Sequence, residues 1–188
     1  MLNKFENVTF LVSDVTNTNI SNKKYDFAYS LGVLHHVPNI DMALKEVNRI
    51  LKQGSPFLIY LYYSFENKPK WYVLLWKFSN FVRKIISNSP KSIKMFVSEI
   101  IAHLIYLPLS RLSLVLDKLN INVSNVPLSY YRNKSLYTMR TDSLDRFGTT
   151  YEKRYSKKEI IDLLTSNGFK DIEFSPKKPF WCAIAYKI

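Results

Sequence analysis

The chain has 188 residues, a formal net charge of +12 and 47% hydrophobic residues. This length fits one domain with a sizeable core, and the apolar fraction excludes wholesale disorder. The single Cys182 excludes a disulfide framework and a multi-cysteine zinc site, and it suits a reducing compartment. The four glycines are never spaced as G-x-G-x-x-G or a P-loop, so a nucleotide site here would have no glycine-rich phosphate loop.

The positive charge is concentrated in the middle of the chain. Residues 66–140 carry twelve Lys and Arg against the three acids Glu66, Glu99 and Asp117. The first residues have no apolar core of signal-peptide length, and no stretch reaches the roughly 18 uninterrupted apolar residues of a membrane span. We therefore expect a soluble, cytoplasmic protein.

The first third of the chain has the pattern of alternating strands and helices. Residues 7–15, 25–30 and 56–63 are rich in β-branched and aromatic residues and predict strands. Residues 41–52 have apolar side chains at helical spacing, and Asn39 or Asp41 can cap the start of this helix. Gly54 follows where a left-handed C-cap is expected. A strand, a helix and a strand with short links predict a right-handed crossover in a parallel sheet.

The middle of the chain predicts helices. Residues 70–87 have the spacing of a basic amphipathic helix. Two further helices are expected over 93–107 and 109–119, separated at Pro108, because proline removes a helical hydrogen bond. Residues 120–140 mix aromatic and polar side chains, and we expect them to be irregular.

The end of the chain returns to the α/β pattern. Ser156 and Glu159 form the sequence of a capping box at the start of a helix. Two strands follow, over 171–174 and 180–186. The turn between them is too short for a parallel connection, so they are predicted to be antiparallel.

Two motifs in this pattern resemble a known family. The segment YDFAYSLGVLHHVPN over 25–39 and the helix ending in RILKQG at Gly54 resemble the Rossmann-like, class I S-adenosylmethionine-dependent methyltransferases. Within them, the likeness is to the type 11 group with ubiquinone- and menaquinone-biosynthesis enzymes. The resemblance implies an α/β methyltransferase core over 1–65 and 141–188, with a C-terminal antiparallel strand pair. Residues 66–140 would then be a basic helical insertion where such enzymes carry a lid.

The resemblance also implies a cofactor site at the carboxyl ends of the strands, where open α/β sheets bind ligands. Its residues would be Asp14 and Val15 at the adenine, Ser30, Leu31 and Gly32 at the methionine end, and His35 and His36 near the sulfonium. The implied activity is methyl transfer from S-adenosylmethionine to a small-molecule acceptor. Because the transfer depends mostly on in-line positioning, a catalytic base is not essential.

The sequence departs from the family at its start. The family's first strand, its glycine-rich loop and the acid that holds the cofactor ribose have no counterpart in these 188 residues. We therefore expect an N-terminally truncated sheet that lacks its first strands. Activity would require N-terminal residues absent here, and the chain alone is predicted not to bind the cofactor.

Several of these residues also have a purely structural interpretation. His35 or His36 could act as a general base, or could cap and order the turn. Asp14 could contact adenine or simply close a turn at a strand end. The candidate substrate-binding residues could instead pack a long connection onto the core. They are Tyr130, Tyr131, Tyr137, Arg140 and Phe147.

The basic segment allows three hypotheses: a lid whose apolar face is covered, a helix on an anionic membrane surface, or recognition of an anionic substrate. The competing function is a non-catalytic membrane- or partner-binding module on a methyltransferase remnant.

Nucleic-acid binding is not expected, since the basic residues are not gathered in one cluster with stacking aromatics. A metal is not expected either, because adjacent histidines without a carboxylate or cysteine are a weak ligand set. Cys182, in an apolar strand, is predicted to be a small core residue.

Overall fold

The computed structural model describes residues 7–66, 68–177 and 181–188. The chain divides into two compact units, here called the sheet unit, residues 1–64 with 153–188, and the helical unit, residues 65–152. The strands are β1 (Ala28–Leu31), β2 (Pro56–Tyr60), β3 (Phe169–Phe174) and β4 (Cys182–Lys187). The α-helices are α1 (Ile40–Ile50), α2 (Lys70–Ser87), α3 (Lys91–Ile101), α4 (Leu107–Lys118), α5 (Leu136–Gly148) and α6 (Lys157–Ser166).

The four strands of the described residues form one mixed sheet in the order β1-β2-β4-β3. β1 and β2 are parallel, with Ala28 opposite Phe57, and α1 connects them. β4 is antiparallel to both β2 and β3. The predicted parallel pairing of the strands around α1 and the predicted antiparallel pair are both confirmed. The sheet unit is an α/β fold, as the Rossmann-like resemblance implies.

The two helices of the sheet unit begin at the predicted caps. The Asn39 side chain accepts a hydrogen bond from the backbone of Met42 at 3.2 Å, and Ser156 with Glu159 forms a complete capping box. The helices and strands bury one hydrophobic core, which includes Leu44 and Phe57. Gly54 is not the C-cap of α1, because the helix ends at Ile50. It forms the turn before β2 instead, where its backbone has a φ of 73°.

The strand predicted over 7–15 is wrong. These residues have no strand structure apart from an isolated bridge between Asp14 and Asn17, and Phe10, Leu11 and Val12 are exposed. A strand needs a hydrogen-bonded neighbour, and no strand among the described residues pairs with this segment. Its β-branched composition alone is therefore insufficient to make it a strand.

The helical unit begins with α2, which has the predicted bounds of 70 and 87. The predicted break at Pro108 is wrong, since the helix continues from Lys91 to Lys118. A π-helical turn over Ala102–Tyr106 joins α3 to α4, and Pro108 lies in the first turn of α4, where a missing N–H is tolerated. By length and composition alone, this helix is the one in the described chain that could cross a membrane, and 28% of its apolar window is buried.

The segment predicted to be irregular is partly helical. It contains a 3-10 helix over Ser129–Asn133 and the start of α5, whose N-cap Ser135 accepts a hydrogen bond from the backbone of Thr138 at 3.2 Å. α5 packs against α2 and α3. The core of the helical unit is a small cluster of buried side chains: Ile86, Ile101, Tyr106, Met139 and Phe147.

Candidate functional site at the carboxyl end of β1

The chain turns sharply where β1 ends. Ser30 and Leu31 are the last residues of the strand, and the backbone N–H of Gly32 donates to the carbonyl of Tyr60 at 3.1 Å. Gly32 has a φ of 70°, which a residue with a side chain adopts only with strain. This turn leads directly into a single 3-10 turn over Leu34–His36 and then into α1. The three predicted residues therefore lie together, at the strand end where ligands bind in such sheets.

His35 is fully buried beside this turn. Its ring stacks on Tyr62, with 3.7 Å between ring centroids, and the His36 ring lies 4.1 Å away. Neither ring nitrogen of His35 has a hydrogen-bond partner among the described residues. Its backbone carbonyl accepts a hydrogen bond from the N–H of Lys153 at 3.0 Å. Both the ring and the backbone of His35 are therefore held in place.

Burial lowers the pKa of His35 to about 3, with smaller contributions from the neighbouring His36 and Arg154. The imidazole is therefore neutral at physiological pH. A general base works best when its pKa lies near the working pH, so His35 is poorly suited to accept a proton. Its packing fits a residue that fixes the shape of the turn, while a catalytic role for His36 stays a prediction.

Two residues that lie around His35 are not among the predicted site residues. Tyr62 follows β2 and stacks on the imidazole, and the Arg154 guanidinium lies 5.0 Å from the centre of the Tyr62 ring. The backbone N–H of Tyr155 donates to the carbonyl of Tyr62 at 2.9 Å, which holds the two segments together. The available signal was the tyrosine-rich end of the strand predicted over 56–63.

Asp14 closes a turn rather than ending a strand. Its Oδ1 accepts hydrogen bonds from the backbone N–H and the hydroxyl of Thr16, at 2.8 and 2.7 Å. These two bonds lower the pKa of the exposed carboxyl. These bonds place Asp14 in a local turn, its contact with adenine stays a prediction, and Oδ2 has no donor among the described residues. Val15 beside it packs against the core of the sheet unit.

The segment after Asp14 is anchored by an ion pair on α1. Glu46 accepts from the backbone and hydroxyl of Thr18, at 2.7 and 2.5 Å, and pairs with Arg49 at 2.6 Å. Arg49 also donates to the carbonyl of Ile20 at 2.8 Å. The hydrogen bond from Arg49 is the main cause that lowers the pKa of Glu46 to about 2. These bonds hold residues 18–20 against α1.

The predicted substrate-binding residues all lie in the helical unit, and they do not form one site. Phe147 is buried in the core cluster, which supports its packing interpretation rather than substrate contact. Tyr131 packs on Tyr106 with 5.2 Å between ring centroids, and Tyr130 packs edge-on against Tyr131. Tyr137 and Arg140 are exposed on α5.

Tyr137 and Arg140 do line a shallow recess between α3 and α5. The recess has a volume of about 200 Å³ and also includes Met95 and Glu99. Arg140 pairs with Glu99 at 2.7 Å, so the charge that could attract an anion is already neutralised. Within residues 7–66, 68–177 and 181–188, no three His, Cys, Asp or Glu residues are grouped to hold a metal ion.

Comparisons with known proteins bear on this site. A family model described as a methyltransferase domain matches residues 2–59, which include the β1–turn–α1 unit. A sterol 4-C-methyltransferase of Caenorhabditis elegans is 32% identical over 50 residues, which are 27% of this chain and 15% of that protein. The match thus spans less than a sixth of the length of this relative.

Solved structures give a more distant likeness. A methyltransferase from Methanosarcina mazei matches with a TM-score of 0.46 and 14% identity, over 95% of this chain and 66% of that one. Phosphoethanolamine N-methyltransferase 2 of Haemonchus contortus, crystallised with S-adenosylmethionine, matches with a TM-score of 0.40 and 14% identity, over 88% of this chain and 22% of that one. The methyltransferase domain model thus matches residues 2–59, which are less than a third of this chain.

Proposed function

We propose that this chain is the acceptor-proximal part of an S-adenosylmethionine-dependent methyltransferase that acts on a small molecule. The observation that supports this most directly is the turn at the end of β1. Its positive-φ Gly32 and buried His35 lie within the segment that the methyltransferase model matches. When bound, S-adenosylmethionine supplies a methyl group from its sulfonium for direct displacement by a nucleophile.

The residues present fit part of this cofactor. Oδ2 of Asp14 has no donor within the described part of the chain, which suits an amino group such as that of adenine. Gly32 has no side chain, and the nearest atom to an added Cβ is 3.8 Å away in Tyr60, so a ligand can approach the backbone closely. Ser30 and Leu31 would lie beside the amino-acid end.

The contribution of the chain's own residues would be positioning. The stack of His35 on Tyr62 holds the turn in one shape without titrating near neutral pH. A rigid turn reduces the entropy lost when the two reacting groups are aligned. His36, next to it, is the residue we propose to face the acceptor.

The sequence carries no G-x-G-x-x-G loop for the carboxypropyl and ribose portions of the cofactor. We therefore propose that tight cofactor binding requires a glycine-rich segment joined ahead of residue 1. By calorimetry, the 188 residues alone are expected to show no binding of S-adenosylhomocysteine at micromolar concentration. The same chain extended by such a segment is expected to bind it.

Variants of the extended chain test the site itself. Asp14→Asn is expected to weaken S-adenosylhomocysteine binding at least tenfold, because the amide turns one acceptor oxygen into a donor. Asp171→Asn, a matched change at an exposed carboxylate of β3, serves as the control and should leave binding unchanged. Failure of the extended chain to bind, or equal effects of both variants, would contradict the proposed function.

A further inference from the structure

The outer face of α2 is apolar and exposed. Six large side chains are between 47% and 69% exposed: Trp71, Leu74, Leu75, Phe78, Phe81 and Ile85. At about 100° per residue, these positions fall within an arc of about 120° on one side of the helix. This set is called here the α2 stripe. Soluble monomers rarely expose contiguous apolar surface of this kind without a binding role.

The residues that α2 buries are, by contrast, partly polar. Arg83 is 3% exposed, and its guanidinium donates to the carbonyls of Thr149 and Thr150 at 2.7 and 3.3 Å. Its Nε donates to Asn80 at 2.9 Å. The helix therefore places an arginine inside the helical unit and its phenylalanines outside, which is the reverse of a helix that only covers a core.

The long helix Lys91–Lys118 has the same orientation. It buries the small residues Ser98, Ala102, Ser110 and Ser113, together with Ile101 and Tyr106. By contrast, five large apolar side chains on this helix or directly after it are between 51% and 71% exposed: Phe96, Leu104, Leu112, Val115 and Leu119. Small residues inside and large apolar residues outside are the arrangement that helices adopt when their outer surface contacts lipid.

Charge favours one particular partner for the α2 stripe. Lys70, Lys77 and Lys84 recur every seven residues and lie along one border of the stripe, and all three are exposed. The helical unit carries thirteen Lys and Arg against six Asp and Glu. An apolar face bordered by lysines, with a tryptophan near its start, is typical of helices that lie at an anionic membrane surface.

We propose that the helical unit docks on an anionic lipid bilayer, with α2 lying in the plane of the interface and the α2 stripe inserted among the lipids. An interfacial position suits the long helix better than a spanning one. Its Glu99 pairs with Arg140, and its Arg111 donates to the carbonyl of Arg132. A spanning helix would bring these polar groups into the hydrocarbon of the bilayer. This inference does not depend on cofactor binding or methyl transfer.

The test is flotation of the full 188-residue chain with vesicles, which separates bound protein from aggregates. Vesicles of 70% phosphatidylcholine and 30% phosphatidylglycerol are expected to carry at least ten times more protein than phosphatidylcholine alone. Binding should fall at least tenfold at 0.5 M NaCl, because salt screens the lysines. The fluorescence of exposed Trp71 should shift to shorter wavelength on binding, and Trp71→Phe should abolish this shift.

Two pairs of variants locate the surface. K77E/K84E and F78S/F81S are each expected to reduce flotation at least tenfold. Their matched controls lie on exposed positions of α1 and α6 and should stay within twofold of the unmutated chain: K45E/K158E for charge and M42S/I161S for apolar area. Circular dichroism verifies that each variant is folded.

Three results would overturn the inference. One is the absence of flotation with anionic vesicles. Another is an equal loss in the control variants, which would point to net charge rather than to the α2 stripe. The third is a concentration-dependent dimer in vesicle-free solution that F78S/F81S abolishes, which would assign the stripe to a second copy of the chain.

Discussion

The two units of this chain use apolar residues in opposite ways. In the sheet unit, the large apolar side chains of α1, α6 and the strands form one buried core. In the helical unit, the core is a small cluster, and most of the large apolar side chains of α2 and of the long helix are exposed. Both sets of helices have clear amphipathic spacing, so periodicity alone does not say which face lies inside.

The difference is expected if the two units have different surroundings, as we propose for the helical unit. Water drives apolar side chains into a core, and the sheet unit satisfies that requirement by itself. The helical unit instead buries Arg83 and several serines while it exposes phenylalanines and leucines. This arrangement supports the proposal that lipid covers the α2 stripe, and the lysines beside the stripe suit an anionic surface.

The largest expected effect compares one substitution in both units. Phe57→Ala should lower the free energy of unfolding by about 4 kcal/mol, since the side chain is fully buried and its loss leaves a cavity. Phe78→Ala should change it by no more than about 0.5 kcal/mol, because that ring is 66% exposed. Urea denaturation followed by circular dichroism measures both. Similar losses for the two variants would mean that the α2 stripe is buried in solution.

A second, smaller effect depends on pH and belongs to the sheet unit. The pKa of His35 is lowered from its ordinary 6.5 to about 3 in the folded chain. Between these values the unfolded chain binds a proton that the folded chain does not, so stability falls as the pH falls. From pH 6.5 to 5 the expected loss from this group is on the order of 1 to 2 kcal/mol.

The variant His35→Phe keeps an aromatic ring against Tyr62 and removes the titration. Its free energy of unfolding should therefore lack this part of the pH dependence, while its other titrating groups behave as in the unmutated chain. Urea denaturation at pH 6.5 and pH 5 gives the comparison. An unchanged pH dependence would show that the imidazole is solvated and can accept a proton, which would restore it as a candidate base.

Much of the sheet unit could be predicted from sequence, because local signals and tertiary packing agree there. The N-cap at Asn39, the capping box at Ser156 and the parallel crossover all lie where the pattern places them. The segment 7–15 shows the limit of such signals. Strand formation needs a neighbouring strand, and composition carries no information on whether that neighbour is present.

The candidate site was predicted only in part, for a similar reason. The positions of Ser30, Leu31, Gly32 and the two histidines follow from the motif, since they are consecutive along the chain. The stack of Tyr62 on His35 joins two elements that are distant in sequence, and no local pattern predicts it. Likewise, the bounds of α2 follow from its period, but the inward side chain of Arg83 depends on the carbonyls of Thr149 and Thr150.

The smallest predicted effect again compares the units, through two glycines. Gly32→Ala should lower the free energy of unfolding by about 1 kcal/mol, because a φ of 70° is strained for alanine. Steric contact adds nothing to this loss, since the nearest atom to the added Cβ lies 3.8 Å away. Gly148→Ala, at the end of α5, has no such strain. Its Cβ would meet only the exposed side chain of Leu144 at 3.3 Å, so the change should be neutral or slightly stabilising. Thermal unfolding of both variants checks this difference. If Gly32→Ala costs nothing, the turn at the end of β1 can relax to another conformation, and it is then no rigid platform for a cofactor.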